Sequence, residues 1–506
     1  MKVGAGTLAS RLLGLVREVV SAGIFGASAS MDMFFLAFRV PNLFRRLFGE
    51  GALTAAFVPE FTREGAAPQG DPRRLLSVVM TALAALLVAL TVLGWAACAV
   101  ALLGFDLSEK WRLFWTLLAV MLPYLPLICL SALQGAALNV KGRFMLPALV
   151  PTLMNACWIV AALLSGRVEW LAWAILLSGL LQYGVQVPVL WRLGLRMRPT
   201  WDLMHPGLRR IGRHMLPVVF GLGLVQVNTA VDGFIAQFCV PGDGANSVLA
   251  YGSDLMQFPL GVLGLALATA VFPALARHAV ERDRQGMVDS VNLSLRAAIF
   301  LALPCMAVAA ALSVPIVRML LERGAFGPES TLRTAHVFFY YSLGLWAFCG
   351  VHVLARSFYA HGDMAAPVRI AAWLVGANLA LNLALVWPMR EAGLALASAL
   401  CGAANLCLLY RALRRHTGPL GGRALLGSAL KCLLAAVIAG AAGYAVARGL
   451  GLWLGASPAP ARPALGRQVA GVGAALAATG LAYLGAAWLL RVRELREFVA
   501  AVTKRR

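Results

Sequence analysis

Long apolar runs recur from one end of this chain to the other, and they decide what it can fold into. LLSVVMTALAALLVALTVLGWAACAVALLGF from Leu75, AAIFLALPCMAVAAALSVPIV from Ala297 and the text around Lys431 to Gly440 are clear examples. The first two reach the length of about 20 residues that a helix needs to cross ~30 Å of hydrocarbon. Runs and turns together predict about fourteen spans, centred near residues 15, 47, 90, 125, 155, 180, 226, 263, 303, 345, 377, 402, 437 and 478. Composition agrees: 60% of residues are hydrophobic, 13% are charged and the mean hydropathy is +0.79, values a soluble globular domain does not reach. The expected class is an all-α polytopic membrane protein.

A net charge of +22 would suit a nucleic-acid binder, but its placement excludes that reading. With the N-terminus in the cytoplasm, loops assigned inside carry about three times as many Lys and Arg as those assigned outside, the positive-inside bias. WRLGLRMRPTWDLMHPGLRRIGRH from Trp191, RALRRHTGPLGGR from Arg411 and the final TKRR all fall inside. Anionic lipid headgroups are the expected partners of these bases, and both termini are expected in the cytoplasm. No cleavable signal peptide is expected, because Arg11 and Arg17 interrupt the first apolar segment. The nine cysteines all lie within predicted spans without metal-ligand spacing and are expected to be small core residues.

The chain repeats itself. LTAAFVPEFTR from Leu53 matches LATAVFPALAR from Leu267 at an offset of 214, and KGRFMLP (Lys141 to Pro147) matches HGDMAAP (His361 to Pro367) at an offset of 220. Two similar offsets in the same order predict two lobes of six helices each, residues 1–205 and 206–419. An even number of helices per lobe makes the repeats parallel, an architecture that transporters build around a central site. Residues 420–506 have no counterpart in either lobe and supply two extra spans, separated by the Pro/Ala-rich GASPAPARPALGR from Gly455.

The first two spans carry charge where hydrocarbon should be. TLASRLLGLVREVVSAGIFG holds Arg11, Arg17 and Glu18, and the next span, which includes FRVPNLFRRLFGEG (38–51), holds Asp32, Arg39, Arg45, Arg46 and Glu50. An ionisable group in a span costs several kcal/mol, so by default it faces a polar cavity or a partner. Arg39, Asn42 and Arg46 follow i, i+3, i+7 on one helical face, and Pro41 should bend the helix and expose carbonyls. Five arginines against three acids leave an excess of positive charge suited to phosphate or carboxylate, for which arginine supplies a two-pronged donor. The bland alternative is that some arginines neutralise Asp32 and Glu50 or reach to headgroups. Arg45 and Arg46 are neighbours about 100° apart, so one of them is expected to point inward. The second lobe carries lone acids instead, Asp232 and Asp254, and the eleventh span adds Asn378 and Asn382 one turn apart. Asp232 with these amides suggests a Na⁺ site, or polar contacts between helices.

With these residues assembled, the sequence resembles the MurJ (MviN) lipid II flippase family of the multidrug/oligosaccharidyl-lipid/polysaccharide (MOP) exporter superfamily. SRLLGLVREVVSAGIFG and DMFFLAFRVPNLFRRLFGEGALTAAFVPEF carry the resemblance, supported by YGSDLMQFPLGVLGLALATAVFPALAR and FYAHGDMAAPVRIA. It implies a flippase, not an enzyme, that moves the undecaprenyl-pyrophosphate-linked disaccharide-pentapeptide from the cytoplasmic to the periplasmic leaflet of a bacterial inner membrane by alternating access. It also implies a monomer without nucleic acid, with Na⁺ or the membrane potential as driving force. The family's required basic residues match Arg11, Arg17 and Arg45, with Arg39 and Arg46 beside them. Its helix-two acid and asparagine match Asp32 and Asn42, and its later acid matches Glu50; Glu18, Asp32, Glu50 and Asp254 are the candidates for gating or charge balance. The Na⁺ site implied by the resemblance maps onto Asp232, Asn378, Asn382 and Ser398, with an asparagine in place of one acid. The sequence departs from the family in the eighth helix, where Asp254 stands for a usual arginine and Gln257 for a glutamate. The alternative of the same type is another MOP exporter, for a polyprenyl-linked O-antigen or a cationic drug. A Mg²⁺-dependent polyprenyl-phosphate enzyme is disfavoured by the lack of a paired-Asp motif, and a non-transporting scaffold is separable from a flippase only by a transport assay.

Overall fold

The computed structural model describes residues 2–47, 52–68, 70–363, 365–452 and 465–497. Glu50, most of the Pro/Ala-rich segment and the terminal TKRR lie outside the described residues. Among those described, the regular structure is all helical. That follows from hydrocarbon, which offers backbone N–H and C=O groups no partner, so each apolar run must bond within itself.

The chain forms two compact units. Unit 1 comprises Met1–Gln237, Gly242–Ser247 and Arg323–Phe326; unit 2 comprises Phe238–Pro241, Val248–Glu322 and Gly327–Arg506. Unit 1 contains α1 (Lys2–Phe25), α2 (Ala29–Phe44), α3 (Ala52–Ala66), α4 (Pro72–Gly104), α5 (Glu109–Met121), α6 (Tyr124–Val140), α7 (Met145–Ser165), α8 (Val168–Gly184), α9 (Val187–Arg192) and most of α10 (Pro206–Cys239). α11 (Ala245–Pro259) starts in unit 1 and continues into unit 2. There follow α12 (Leu265–Val280), α13 (Arg284–Leu321), α14 (Pro328–Ser342), α15 (Leu345–Ala360), α16 (Ala365–Met389), α17 (Glu391–Thr417), α18 (Gly422–Gly449) and α19 (Leu465–Leu489).

Among the described residues, nine helices are long and apolar enough to cross a membrane, ten if the bent pair α14 and α15 is one span. Ten of the fourteen expected centres fall on them. The remaining four, near residues 15, 47, 226 and 263, fall on α1, a π turn after α2, α10, and a π turn after α11. These are the segments whose arginines, acids and glycines dilute their hydropathy. Tryptophans near helix ends, Trp170, Trp191, Trp387 and Trp488, are exposed, as side chains at a membrane–water boundary are.

In unit 1, α1 packs on α7, α2 on α5, and α6 and α7 on α8. Trp158 of α7 is 1% exposed and meets Phe34 of α2 edge-on, with centroids 5.0 Å apart, so one large aromatic pair fixes α2 against α7. In unit 2 the 38-residue α13 is the strut on which α12, α14, α15, α18 and α19 all pack. Leu295, Leu354, Phe358 and Leu406 form one core there; Phe300, Cys432, Ala435, Ala439 and Tyr483 form a second. α18 and α19 approach closely through small residues: a Cβ on Gly443 would stand 2.0 Å from Thr479 Oγ1. Tyr483 Oη donates to the Phe300 carbonyl at 2.8 Å, tying this pair to α13. Cysteines only partly meet the expectation of a core role: Cys98, Cys129, Cys349 and Cys432 are buried, but Cys407 is exposed on α17, an apolar thiol on a helix whose outer face meets lipid.

Candidate functional site

The charged residues of α1 and α2 all lie in unit 1. Arg17 projects from α1 towards α7. Its Nε donates to Glu18 Oε1 at 3.0 Å, its Nη1 donates to Asn155 Oδ1 at 3.2 Å, and its guanidinium lies 4.7 Å from the centroid of the Trp158 ring. Asn155 Nδ2 in turn donates to the Ser10 carbonyl, and Trp158 Nε1 donates to Ser21 Oγ. A guanidinium held by an amide, a carboxylate and an aromatic face is pre-aimed, and little rotamer entropy remains to be lost when an anion arrives. Arg11, two turns earlier, is half-buried and makes no ion pair among the described residues.

The helix α2 begins at Ser28, whose hydroxyl accepts from Met31 N. Asp32, in its first turn and 2% exposed, does not pair with an arginine. Its Oδ2 accepts from Gly244 N at 2.6 Å, and its Oδ1 accepts from Ser247 N at 2.8 Å and Ser247 Oγ at 2.7 Å. The carboxylate thus caps the N-terminus of α11, where orphan N–H groups and the helix dipole favour an anion. The turn can come this close because Gly244 has φ +89°; a Cβ there would stand 2.5 Å from the Ala27 carbonyl oxygen.

One turn before the end of α2, Arg39 Nη1 donates to the Thr229 carbonyl of α10 at 3.1 Å. Gly233 makes room for it: a Cβ at that position would lie 1.5 Å from Arg39 Nη1. Arg39 therefore shares the α10 side, while Asn42 turns to its own helix and accepts from Arg45 Nε at 2.9 Å. Pro41 cannot donate to the helix ladder, and the α-helix gives way after Phe44 to a π turn over Arg45 to Leu47. That turn delivers Arg45 to a cavity of about 290 Å³ inside unit 1, lined also by Ser131, Gly135, Asn139, Gln182 and Gln186. Arg46 is half-buried and is not among the lining residues, so of the two neighbours Arg45 is the one that faces the cavity.

The second repeat contains the same elements with other chemistry. Asp254 is half-buried on α11 and accepts from Gln257 Nε2 at 3.0 Å, and Gln257 also donates to Ser253 Oγ. Of the residues expected to hold Na⁺, three lie in unit 2. Asn378 and Asn382 are buried on α16, and Asn382 Nδ2 donates to Asn378 Oδ1 at 2.9 Å; Ser398 is half-buried on α17. They supply neutral oxygens of the kind hard cations take, and the carboxylate of the set, Asp232, is on α10 in unit 1.

Sequence reasoning missed Asn155, Trp158, Ser247, Gln182 of α8 and Gln186, which caps α9. The signal was available for some of them: Gln182 and Gln186 stand at i, i+4 in an otherwise apolar run, the spacing of a polar stripe on one helix face. Ser247 could not be found that way, because its role depends on the first turn of α11 meeting α2 from 215 residues away.

Membrane-length helices throughout the described residues, a duplicated helical plan, and arginines anchored near the start of the chain define a multi-pass membrane protein. Its fold is similar to that of a solved structure described as "Lipid II flippase MurJ, inward closed conformation", with TM-score 0.79, 24% identity, and coverage of 98% of this chain and 99% of that one. It is also similar to a multidrug resistance MATE family transporter of the MOP superfamily, with TM-score 0.65, 14% identity, and coverage of 81% and 94%. The family model for "Lipid II flippase MurJ" matches residues 21–457, and the chain belongs to that family. A "Probable lipid II flippase MurJ" of Vibrio cholerae is 36% identical over 431 residues, 81% of each protein. The "Lipid II flippase MurJ" of Burkholderia cenocepacia is 33% identical over 435 residues, 82% of this chain and 83% of the relative.

Proposed function

We propose that this protein moves lipid II from the cytoplasmic to the periplasmic leaflet of a bacterial inner membrane, as a monomer with both termini in the cytoplasm. The observation that carries this reading, beside family membership, is the set of arginines held in unit 1. Arg17 is braced by Glu18, Asn155 and Trp158, and Arg45 is delivered by a π turn to a cavity that also presents Ser131, Gln182 and Gln186. A guanidinium held this way suits the pyrophosphate of a polyprenyl-linked headgroup, which cannot cross hydrocarbon unaided. Arg11 and Arg39 extend the same cationic set. The polyprenyl tail never needs to leave lipid, and the exposed apolar faces of α18 (Leu430, Leu434, Val437) and α19 (Leu481, Leu484, Trp488) offer it a surface.

Movement follows from alternating access between the lobes 1–205 and 206–419, with 420–506 as the tail-binding addition. Substrate shifts the two states only through its different affinity for them, so the arginines must exchange partners between states. Glu18 is already such a partner for Arg17, and Glu50 is the second; Asp32 acts instead on the α11 N-terminus and would be released when that contact opens. A potential negative inside favours outward transfer of an anion by ~2.3 kcal/mol per charge per 100 mV, which supplies direction without nucleotide hydrolysis.

The test is lipid II translocation in vesicles containing the purified protein, with a potential imposed or collapsed and with Na⁺ or K⁺ outside. Translocation that needs the protein and follows the potential supports the reading. Absence of translocation by folded protein refutes it. A requirement for Na⁺, lost on Asn382→Ala, assigns coupling to Asp232, Asn378, Asn382 and Ser398.

A further inference from the structure

The cavity beside Arg45 contains a group that the pyrophosphate does not explain. Gln186 is 1% exposed, and its Nε2 donates to the Ser131 carbonyl at 3.0 Å, Ser131 Oγ at 2.7 Å and the Gln182 carbonyl at 3.1 Å. Two of these acceptors are carbonyl oxygens, which can only accept, so the amide cannot be turned round. Its Oε1 is thereby fixed on the other side, buried and without a hydrogen-bond donor among the described residues. A Cβ on Gly135 would lie 3.4 Å from that oxygen, so Oε1 looks over the bare backbone of a cavity-lining residue. An orphaned buried acceptor is costly to keep, and a ligand bearing O–H or N–H would satisfy it.

Arg45, Tyr124, Asn139 and Gln182 complete the polar lining, the remaining walls are apolar (Ile128, Val150 and Met154 among them), and no acid is among the lining residues. A cavity lined by one cation, three amides and apolar side chains, with a fixed unsatisfied acceptor, suits a neutral, donor-bearing ring joined to an anion. At about 290 Å³ it lies at the lower limit of small-molecule pockets, roughly 300 to 1,000 Å³. That is room for one pyranose, not for a disaccharide with its peptide. We propose that this cavity seats the first sugar of the headgroup, the ring attached directly to the pyrophosphate, with Gln186 Oε1 accepting from a ring hydroxyl or acetamido N–H while Arg45 holds the phosphate. The proposal rests on the flippase reading and adds a second element of recognition to it: the neutral ring, beside the charge.

The test uses the full chain in lipid nanodiscs and two probes, undecaprenyl pyrophosphate and undecaprenyl pyrophosphate bearing one N-acetylhexosamine. The wild-type chain is expected to bind the sugar-bearing probe about ten-fold more tightly. Gln186→Met removes the acceptor at similar length, and Ala132→Leu fills the cavity from another lining position without touching the glutamine network. Each is expected to bring the ratio between probes to within about two-fold while leaving affinity for the bare pyrophosphate unchanged. Unfolding temperatures identify a variant that fails to fold, and Ala132→Leu then carries the test. Variants that keep the wild-type ratio overturn the proposal, as does a wild-type chain that binds both probes equally; the cavity then holds only water. A folded wild-type chain that binds neither probe refutes the flippase reading itself.

Discussion

The stretch from α2 to α3 and the stretch from α11 to α12 are one backbone plan used twice. In each, an α-helix of 15 or 16 residues carries a proline near its end, Pro41 or Pro259, and runs into a π turn. In each, the next helix carries its own proline, Pro59 or Pro273, at the offset of 214 seen in the sequence. The side chains differ. Where α2 and its π turn have Arg39, Asn42, Arg45 and Arg46, the same offset gives Ser253, Met256, Pro259 and Leu260. The kink therefore belongs to the shared mechanical plan, and the positive charge was placed on one copy only. A π turn changes which side chain faces a cavity without breaking the helix, which is why such turns recur at functional sites.

The sharpest way to break this comparison is to remove the charge from the copy that has it. Arg45→Ala is expected to lower lipid II translocation by about ten- to a hundred-fold, the loss that follows from a charge-assisted hydrogen bond of ~1.5–3 kcal/mol. The protein should still insert, with a small drop in unfolding temperature because Asn42 loses its donor. Arg17→Ala should reduce transport comparably but lower stability further, since Asn155 and Glu18 lose their partner. Normal translocation by well-expressed Arg45→Ala protein would show that the anion contact lies elsewhere.

Next in size is Asp32, which marks the other end of α2. Its carboxylate accepts from two backbone N–H groups and a hydroxyl, all from donors. Asp32→Asn would turn an NH₂ towards at least one of them, and a cost of about 1–3 kcal/mol is expected, read as a lower unfolding temperature in detergent. An unchanged unfolding temperature would mean that the cap on α11 contributes nothing measurable.

Smaller again is the reverse transplant. Asp254→Arg places a guanidinium on α11 in the copy that lacks one. A several-fold gain in affinity for undecaprenyl pyrophosphate is expected, with partial recovery of transport when it is combined with Arg45→Ala. If Asp254→Arg abolishes transport by itself, the acid has its own function and the two copies are not interchangeable even in principle.

Much of this was legible in the sequence, for identifiable reasons. Apolar runs and the offset of 214 depend on local chemistry and duplicated text, so helices and repeat could be read directly. Span weakness at residues 15 and 47 was itself informative, since hydropathy fails where charge is required. The contact that Asp32 makes in this structure was not legible, because charges along one helix say nothing of the orphan N–H groups of another. Arg39 likewise shares a face with Asn42 by periodicity, yet Gly233 of α10 draws it away. The Gln182 and Gln186 pair stands in a span without a charged residue beside it, so nothing nearby marked it out.

The two copies also begin their next helices alike, and this yields the smallest effect. Asp71 caps α4 by accepting from Arg74 N at 3.0 Å, and Asp283 caps α13 by accepting from Gly286 N at 2.9 Å. The Gly286 N–H, aided by His278, holds the Asp283 carboxyl below its usual value of 3.8. A carboxyl whose folded pKa is depressed stabilises the fold above its unfolded pKa, and that stabilisation is lost as pH falls through the lower, folded value. The window therefore lies below about pH 4, and nothing should change between pH 6 and 8. Asp283→Asn retains a capping oxygen and removes the charge, so its unfolding temperature should lie slightly below that of the wild type at pH 7 and approach it as the wild-type carboxyl protonates. Below pH 4 its temperature should fall less steeply than that of the wild type. Equal unfolding temperatures at neutral pH would mean that the hydrogen bond, more than the charge, holds the start of α13, and that the cap shared by the two copies is not electrostatic.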